Sequence, residues 1–352
     1  MAKIRAAIIG TGGISHCHMD GYLAIPDVEV VACCDIDFDK ATKYAEKFNI
    51  PHVYADCKEM MEKEKLDVVS VTTWNAAHKD CTITALRGGA NVICEKPMAM
   101  NAAEAEEMMK TAEECGKLLQ IGFVRRFGRD ADIFREFRDD GVMGDIYYAK
   151  ATYLRRSGCP GGWFGNKAIS GGGPLIDLGV HVIDLSRYLA GNPKPVAVSG
   201  VTYNNLGKNR ARGADAAWEI TEKTLGEDVY NVEDFVSALV RFENGFTLSV
   251  EASFNLNCKS DTGNIQLFGT KGGAELSPKL EIYTDVAGRF VNIQPAVDVT
   301  FHMDAFKDEI KGFVDAAMRG VPCRATAEDG VMLMKIIDGI YKSAETGHEV
   351  IL

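Results

Sequence analysis

The sequence predicts two domains of different fold class. Residues 1–122 form an α/β domain with a doubly wound parallel sheet, and residues 123–352 form an α+β domain with a large, mostly antiparallel, open-faced sheet. The length of 352 residues exceeds what one core usually organises, since domains average roughly 150 residues. Strand and helix patterns alternate up to Phe123, whereas strand patterns follow in series after it.

The first domain reads as alternating strands and helices. We expect strands at 4–10, 28–35, 67–73, 91–96 and 117–123, and helices at 14–24, 37–48, 76–88 and 101–116. The strands are continuously apolar rather than alternating, as is typical when helices cover both faces of a parallel sheet. This pattern predicts the doubly wound fold.

The second domain begins with a polar helix at 129–141 and a half-exposed strand at 145–156. A glycine-rich segment without predicted elements spans 157–173, and a long apolar helix follows it. Further strands are predicted at 195–203, 234–242, 246–254, 264–269, 274–277 and 280–285, and closing helices at 303–319 and 326–346. Strands in series with N-G and K-G-G turns indicate an antiparallel sheet. The last helix is free to pack back on the first domain.

Composition excludes several classes of function. The net charge of −11 argues against nucleic acid or an anionic membrane as a partner. No apolar run of about 18 residues predicts a membrane span, and the N-terminus lacks the pattern of a signal peptide, so we expect a cytoplasmic protein. The ten cysteines show no C-x-x-C pair. His16 and His18 flank Cys17 but have no further ligands nearby in the sequence, so no metal site is predicted.

A glycine-rich turn after the first strand predicts a dinucleotide site. In the segment GTGGIS (10–15), Gly10 permits a tight turn, Gly12 lets the backbone approach a pyrophosphate, and the helix N-terminus favours an anion. Asp35 ends the second strand, where an acid hydrogen-bonds the ribose 2′-hydroxyl and repels a 2′-phosphate, so NAD is favoured over NADP. The cofactor residues predicted here are Gly10, Gly12, Gly13, Ile14 and Asp35.

Two further segments carry candidate chemistry. Glu95-Lys96-Pro97 follows a buried strand at the sheet edge where ligands of open α/β sheets bind, although a lone lysine there is also consistent with a surface residue. Asp177 and His181, with Asp184 beyond them, share one face of the apolar helix within about 60°. Such a pair suits a general base, and it is equally consistent with polar residues satisfied in a core.

Taken together, the motifs resemble the glucose–fructose oxidoreductase / inositol dehydrogenase / MocA family (Gfo/Idh/MocA). The resemblance runs the whole length and is carried by GTGGIS, TTWNAAH (72–78), CEKPMAMN (94–101), QIGFVRRF (120–127), GGGPLIDLGVHVIDLSRYL (171–189) and NVEDFVSALVRFENG (231–245). The order E-K-P followed by D-x-G-x-H-x-x-D is specific. The resemblance implies a Rossmann first domain, NAD as cofactor and chemistry in a cleft between the domains.

The resemblance also implies roles for individual residues. Lys96, Asp177 and His181 match the catalytic set: His181 takes the hydroxyl proton, Lys96 polarises the oxygen, and Asp177 orients the base. A cis Lys96–Pro97 peptide is usual in such proteins. The remaining cofactor residues implied are Thr73, Asn75, His78, Glu95 and Lys96 itself.

Substrate residues are less clearly matched. Arg125 and Tyr230 fall at positions beside the substrate in inositol dehydrogenases, whereas the strand tip at Tyr153 lacks the Asp and Asn typical of those enzymes. Trp163, in the glycine-rich segment 157–173, suits stacking on a sugar ring and equally suits packing of the loop. A structureless loop of this length is often a lid.

We therefore expect an NAD-dependent dehydrogenase that oxidises a secondary hydroxyl of a cyclic polyol, sugar or glycoside. Two alternatives stay open: an NAD-dependent glycosidase that oxidises its sugar transiently, and a non-catalytic NAD-binding regulator, which would not need the intact set of Lys96, Asp177 and His181. The open sheet face predicts a homodimer or homotetramer.

Overall fold

The structure is a computed structural model that describes residues 3–207 and 229–352. The chain divides into two compact units. The first comprises Met1–Phe127 and His302–Val331, and the second comprises Gly128–Phe301 and Met332–Leu352.

Fifteen strands are found in the described residues. They are β1 (Ile4–Ile9), β2 (Val28–Cys34), β3 (His52–Tyr54), β4 (Val68–Val71), β5 (Asn91–Glu95), β6 (Leu119–Gly122), β7 (Ile146–Leu154), β8 (Pro195–Tyr203), β9 (Phe235–Phe242), β10 (Thr247–Ser253), β11 (Thr262–Gly269), β12 (Gly272–Glu275), β13 (Glu281–Val286), β14 (Arg289–Ile293) and β15 (Val350–Ile351).

The α-helices of the same residues are α1 (Ser15–Leu23), α2 (Phe38–Phe48), α3 (Cys57–Lys63), α4 (His78–Arg87), α5 (Ala102–Cys115), α6 (Arg129–Asp139), α7 (Lys167–Ser170), α8 (Val180–Leu189), α9 (Ala305–Arg319) and α10 (Ala327–Thr346). Shorter 3₁₀ turns lie at Asn75–Ala77, Val124–Phe127 and Gly162–Gly165, and a π-helical turn at Leu175–Gly179 precedes α8. None of the helices described is long and apolar enough to cross a bilayer.

The first unit contains a six-stranded parallel sheet in the order β3-β2-β1-β4-β5-β6. All four residues of β4 are buried, and so are the last four of β1, because helices lie on both faces. The order reverses between β1 and β4, and ligands of such sheets bind at the carboxyl ends of the strands at this switch point. The predicted doubly wound fold is confirmed.

Helix α9 belongs to the first unit although it comes late in the chain. Ile310, Phe313 and Val314 are fully buried in one apolar cluster with Ile8 and Tyr22. The unit includes 123–127 and 302–331 in addition to residues 1–122, which the sequence assigned to the first domain. The start of α10, up to Val331, belongs to the same unit, and the rest of that last helix belongs to the second unit.

The second unit contains a nine-stranded sheet in the order β14-β13-β12-β11-β7-β10-β9-β8-β15. Its pairs are antiparallel except for β7 with β10. Burial alternates along β9 and β10, so one face of the sheet is covered and the other is more exposed. The predicted mostly antiparallel, open-faced sheet is confirmed.

Three local features differ from the sequence-based expectation. Strand β3, helix α3 and strands β14 and β15 were not predicted, because each is short or lacks a clear periodicity. The glycine-rich segment 157–173 is not structureless, since it contains the turn Gly162–Gly165 and α7. The helix carrying Asp177 begins with a π-helical turn rather than a regular α-helix.

Candidate active site

The glycine turn leads from β1 directly into α1. The N–H of Gly10 donates to the carbonyl of Cys34 at 2.7 Å, which ties the turn to the end of β2. The first turn of α1 carries no acidic side chain, and Ile14 precedes it with helical backbone angles and no side-chain cap. The N–H groups and dipole of this helix end therefore favour an anion such as a pyrophosphate.

The glycines of this turn serve two different purposes. Gly10 has φ +91°, and a Cβ there would lie 2.7 Å from the carbonyl carbon of Thr72, so this position requires glycine for the approach of β4. A Cβ on Gly12 would meet only Lys40 Nζ at 4.0 Å, and one on Gly13 would meet nothing within 4 Å. Packing within the chain therefore does not explain why positions 12 and 13 are glycine. Their lack of a side chain is consistent with close approach of a ligand.

Asp35 lies against the glycine turn. Its Oδ2 accepts hydrogen bonds from the N–H of Thr11 at 2.8 Å and from Thr11 Oγ1 at 2.9 Å. Its Oδ1 accepts from the N–H of Asp37 at 3.0 Å. Three donors thus hold a half-buried carboxylate beside the turn, in the position expected for recognition of a ribose hydroxyl.

The loop after β4 contains the predicted cofactor residues Thr73, Asn75 and His78. Thr73 is half-buried and Asn75 is buried in the 3₁₀ turn that leads into α4. His78 is buried, with Nδ1 2.7 Å from the carbonyl oxygen of Pro97 and Nε2 3.2 Å from that of Thr73. His78 therefore holds together the loops that follow β4 and β5, which carry the other predicted cofactor residues.

Protonation of His78 is opposed by its surroundings. Burial lowers the pKa of this imidazole, although the two carbonyl contacts act in the opposite direction. A neutral imidazole has one N–H, which the shorter distance assigns to Nδ1 and the oxygen of Pro97.

Glu95 and Lys96 stand at the end of β5. The Lys96–Pro97 peptide is cis, as the resemblance implied. The N–H of Lys96 donates to Glu95 Oε2 at 3.0 Å, and Lys96 is half-buried. Burial by itself raises the pKa of Glu95, but the hydrogen bond from His18 and the charge of Lys96 outweigh it, and the pKa lies below its usual value.

Two adjacent arginines after β6 have different environments. Arg125, the predicted substrate residue, is half-buried in the turn Val124–Phe127. Arg126 is completely buried, and its Nη1 donates to Asp329 Oδ2 at 2.7 Å and to the carbonyl of Arg324 at 2.8 Å. Arg126 thus anchors the start of α10 within the first unit.

Asp177 and His181 lie in the second unit. Asp177 is buried in the π-helical turn, and the N–H of Val180 donates to the carbonyl of Leu175 in the i→i+5 pattern. His181 is half-buried in the first turn of α8 and Asp184 is buried one turn later. The helix that carries both residues therefore begins with a π turn, where the sequence predicts a regular α-helix.

A buried carboxylate that the sequence analysis missed holds the start of this helix. Glu233 Oε2 accepts from the N–H of Gly173 at 3.0 Å, and Oε1 accepts from the N–H of Leu175 at 3.2 Å and from Tyr341 Oη at 2.9 Å. A Cβ on Gly172 would collide with Tyr341 Oη. The run of glycines therefore lets Glu233 and Tyr341 approach the backbone that precedes Asp177.

Burial disfavours the ionised form of Glu233 despite these donors. Burial raises its pKa above the usual range, and the hydrogen bonds from Gly173, Tyr341 and Leu175 act against that shift. Because the carboxylate lies at a helix N-terminus, the helix dipole also favours its ionised form.

The predicted substrate residues of the second unit lie in three places. Tyr153 is half-buried near the end of β7, with the guanidinium of Arg155 5.5 Å from its ring centroid. Trp163 stacks on Phe164 with centroids 3.9 Å apart. Tyr230 Oη donates to Asp234 Oδ1 at 2.7 Å, and burial raises the pKa of this phenol.

The described residues offer one buried group of metal-ligating type. It consists of His18, Glu95 and Glu309, whose ligand atoms lie within 4.8 Å of one another, and it does not include Cys17. All ten cysteines are free thiols.

Comparisons with known proteins agree on the class of this chain. The model of the GFO_IDH_MocA family, described as "Oxidoreductase family, NAD-binding Rossmann fold", matches residues 4–123, and that of the GFO/IDH/MocA C-terminal domain matches residues 133–275. A D-glucoside 3-dehydrogenase from Escherichia coli (strain K12) is 36% identical over 354 residues, covering 99% of this chain and 97% of that protein.

Solved structures show the same fold along the whole chain. An aldose-aldose oxidoreductase from Caulobacter crescentus, complexed with glycerol, superposes with a TM-score of 0.80 at 25% identity, covering 99% of this chain and 100% of that one. A levoglucosan dehydrogenase in complex with NADH superposes with a TM-score of 0.85 at 23% identity, covering 99% of each chain.

Proposed function

This chain belongs to the Gfo/Idh/MocA family of NAD-binding oxidoreductases, and we propose that it oxidises a secondary ring hydroxyl of a glycoside, sugar or cyclic polyol with NAD. The observation that supports this most is the D-glucoside 3-dehydrogenase relative, which is 36% identical along nearly the full length. The residues Lys96, Asp177 and His181 are all present, which a regulator without chemistry would not need.

The first unit fits the cofactor. The open glycine turn, the helix end at Ile14 and the carboxylate of Asp35 are what a pyrophosphate and an unphosphorylated ribose require. Thr73, Asn75, Glu95 and the backbone that His78 fixes complete the proposed NAD site. With NAD held there, the site would have an acceptor for the hydride that the substrate carbon releases.

The chain's own residues then handle the substrate oxygen and its proton. Lys96 donates a hydrogen bond from its ammonium to the hydroxyl oxygen, which stabilises negative charge as it develops there. His181 accepts the hydroxyl proton at a ring nitrogen. Asp177 stabilises the imidazolium that results. Glu233 keeps in place the start of the helix that carries Asp177 and His181.

Substrate recognition is proposed for four residues: Arg125, Tyr153, Trp163 and Tyr230. Trp163 offers its aromatic surface to the apolar face of a sugar ring. The hydroxyl of Tyr230 donates to Asp234 at 2.7 Å and accepts from Asn255 Nδ2 at 3.3 Å, so toward a sugar hydroxyl it offers only its remaining lone pair as an acceptor. We also propose a cytoplasmic location and a homodimer or homotetramer formed through the exposed sheet face.

The test is reduced-nicotinamide absorbance with NAD, and separately NADP, across methyl glucosides, aldoses and inositols. Lys96→Ala and His181→Ala should lose turnover by at least about a hundredfold while the dissociation constant of NAD changes little. Lys110→Ala, a lysine whose side chain is 75% exposed, serves as the matched control and should keep full turnover. Cleavage of a chromogenic glycoside without net reduction of NAD would indicate a glycosidase instead, and turnover by His181→Ala would remove that residue from the mechanism.

A further inference from the structure

A buried chain of hydrogen bonds connects α1 to the strand end that carries Lys96. His18 Nε2 lies 2.9 Å from Glu95 Oε1, and Glu95 Oε2 accepts the N–H of Lys96 at 3.0 Å. On the other side of the ring, His18 Nδ1 lies 3.0 Å from Ser70 Oγ, which in turn lies 2.8 Å from Tyr22 Oη. The chain thus runs from α1 through β4 to the end of β5.

Solvent is almost entirely excluded from this chain. His18 and Ser70 are 0% exposed, and Glu95 is 6% exposed. The carboxylate of Glu309 on α9 lies beside them, within 4.8 Å of the ligand atoms of His18 and Glu95. In such a dry environment the hydrogen bonds are strong and a lost partner costs several kcal/mol, so the side chains are held in fixed orientations.

The direction of the key hydrogen bond follows from the chemistry of its partners. An ionised carboxylate only accepts, so His18 Nε2 must carry the hydrogen that reaches Glu95. The hydroxyls of Ser70 and Tyr22 rotate to suit either state of Nδ1. The contact to Glu95 is therefore the specific one, and the contact to Ser70 is adaptable.

We propose that His18 is a positioning residue for hydride transfer, which acts by holding Glu95 and, through Glu95, the peptide of Lys96. Because α1 begins at the glycine turn, the helix that meets the pyrophosphate then also supports the lysine that meets the substrate oxygen. Displacing such a group by about 1 Å lowers a rate by about a hundredfold. The inference rests on the proposed function.

Two amide substitutions of His18 distinguish the contact made by Nε2 from the contact made by Nδ1. The amide nitrogen of glutamine occupies the place of Nε2, so His18→Gln keeps a donor to Glu95. Asparagine reaches only the place of Nδ1, so His18→Asn keeps the contact to Ser70 and loses that to Glu95. We expect His18→Asn to lower kcat by about tenfold to a hundredfold and to shift its pH profile. His18→Gln should stay within about fivefold of the wild type.

Binding supplies a readout that does not depend on turnover. Calorimetric titration with NAD and with ADP-ribose, which lacks the nicotinamide ring, compares the two ends of the site. His18→Asn should weaken NAD about tenfold and leave ADP-ribose unchanged, because Glu95, a proposed cofactor residue at the nicotinamide end, loses its partner while the glycine turn is undisturbed. If none of the sugars tested supports reduction of NAD by the wild type, the proposed function fails. The comparison of NAD with ADP-ribose still decides the role of His18.

Tyr44→Phe is the matched control for loss of a buried hydrogen bond on α1. Tyr44 lies on α2, and its Oη donates to the carbonyl of Ser15 on α1 at 2.9 Å, a bond that involves neither His18 nor Glu95. The control should lower the melting temperature as much as His18→Asn does, with kcat and its pH profile unchanged. If His18 is purely structural, His18→Asn will also lower the melting temperature and leave kcat and its pH profile unchanged, which would overturn the proposal. So would a stoichiometric divalent metal in the wild type that is lost in His18→Asn, since His18 would then be a ligand.

Discussion

The preference for NAD over NADP depends on the single carboxylate of Asp35. Asp35→Asn removes its charge and turns one acceptor oxygen into a donor. With the remaining oxygen toward Thr11, both hydrogen bonds from that residue are kept, and the exposed N–H of Asp37 is hydrated instead. We therefore expect the substitution to cost only about 0.5–1.5 kcal/mol in the free energy of unfolding.

Its effect on cofactor binding should be larger. A hydrogen bond from a ribose hydroxyl to a charged acceptor contributes about 1.5–3 kcal/mol, which corresponds to about 10- to 150-fold in the dissociation constant of NAD. A carboxylate about 4 Å from a phosphate charge is repelled by up to about 4 kcal/mol near a protein surface. Loss of that repulsion should raise the affinity for NADP, so the ratio of the two constants should change by at least about a hundredfold.

Isothermal titration with each cofactor measures both effects without a substrate. Asp37→Asn is the matched control, because Asp37 caps α2 by accepting the N–H of Lys40 at 3.1 Å, and asparagine is an equally good cap. That control removes the same charge two residues away and should leave both constants within about twofold. An Asp35→Asn protein that binds NAD as tightly as the wild type and still rejects NADP would refute the role given to Asp35.

Two further predictions concern titrating groups. Tyr341→Phe removes a donor from Glu233 and should lower the free energy of unfolding by about 1–3 kcal/mol at neutral pH. Because the pKa of Glu233 is raised, its ionised form is the one that destabilises the fold and needs the donor. The loss of stability in Tyr341→Phe should therefore shrink as the pH falls and the carboxyl is protonated. An equal loss at all pH values, measured by denaturant titration, would contradict this prediction. The hydrogen bond from Cys81 lowers the pKa of the Cys57 thiol to about 7. Cys81→Ala should therefore slow alkylation of Cys57 by iodoacetamide at pH 7 by about tenfold. Peptide mass spectrometry measures this rate, with Cys17 as internal reference. An unchanged rate would contradict the prediction.

Local patterns in the sequence predicted most of the first sheet. Continuous apolar runs locate β1, β2, β4 and β5, because burial on both faces of a parallel sheet requires such runs. The glycine turn and Asp35 were recognisable because each depends on residues near in sequence or on a strand end. Strand β3 has three residues, too few to show a period.

Long-range pairing explains what the sequence did not reveal. His18 and Glu95 are 77 residues apart, and Glu233 and Gly173 are 60 apart, so no local pattern links them. The apolar helix predicted across Asp177 and His181 is present, but it begins with a π turn, whose first N–H donates to the distant Glu233. The packing of α9 on the first core likewise has no local signal.

Hydride transfer from a ring carbon is the central claim, and isotope transfer tests it most directly. Methyl glucoside deuterated at its ring carbons would be incubated with NAD and the purified protein, and the nucleotide and the sugar would be examined by mass spectrometry. We predict reduced nucleotide that carries one deuterium, formed in equal amount with a ketone-bearing glucoside. Reduced nucleotide without deuterium, or hydrolysed glucoside with NAD left oxidised, would contradict the account.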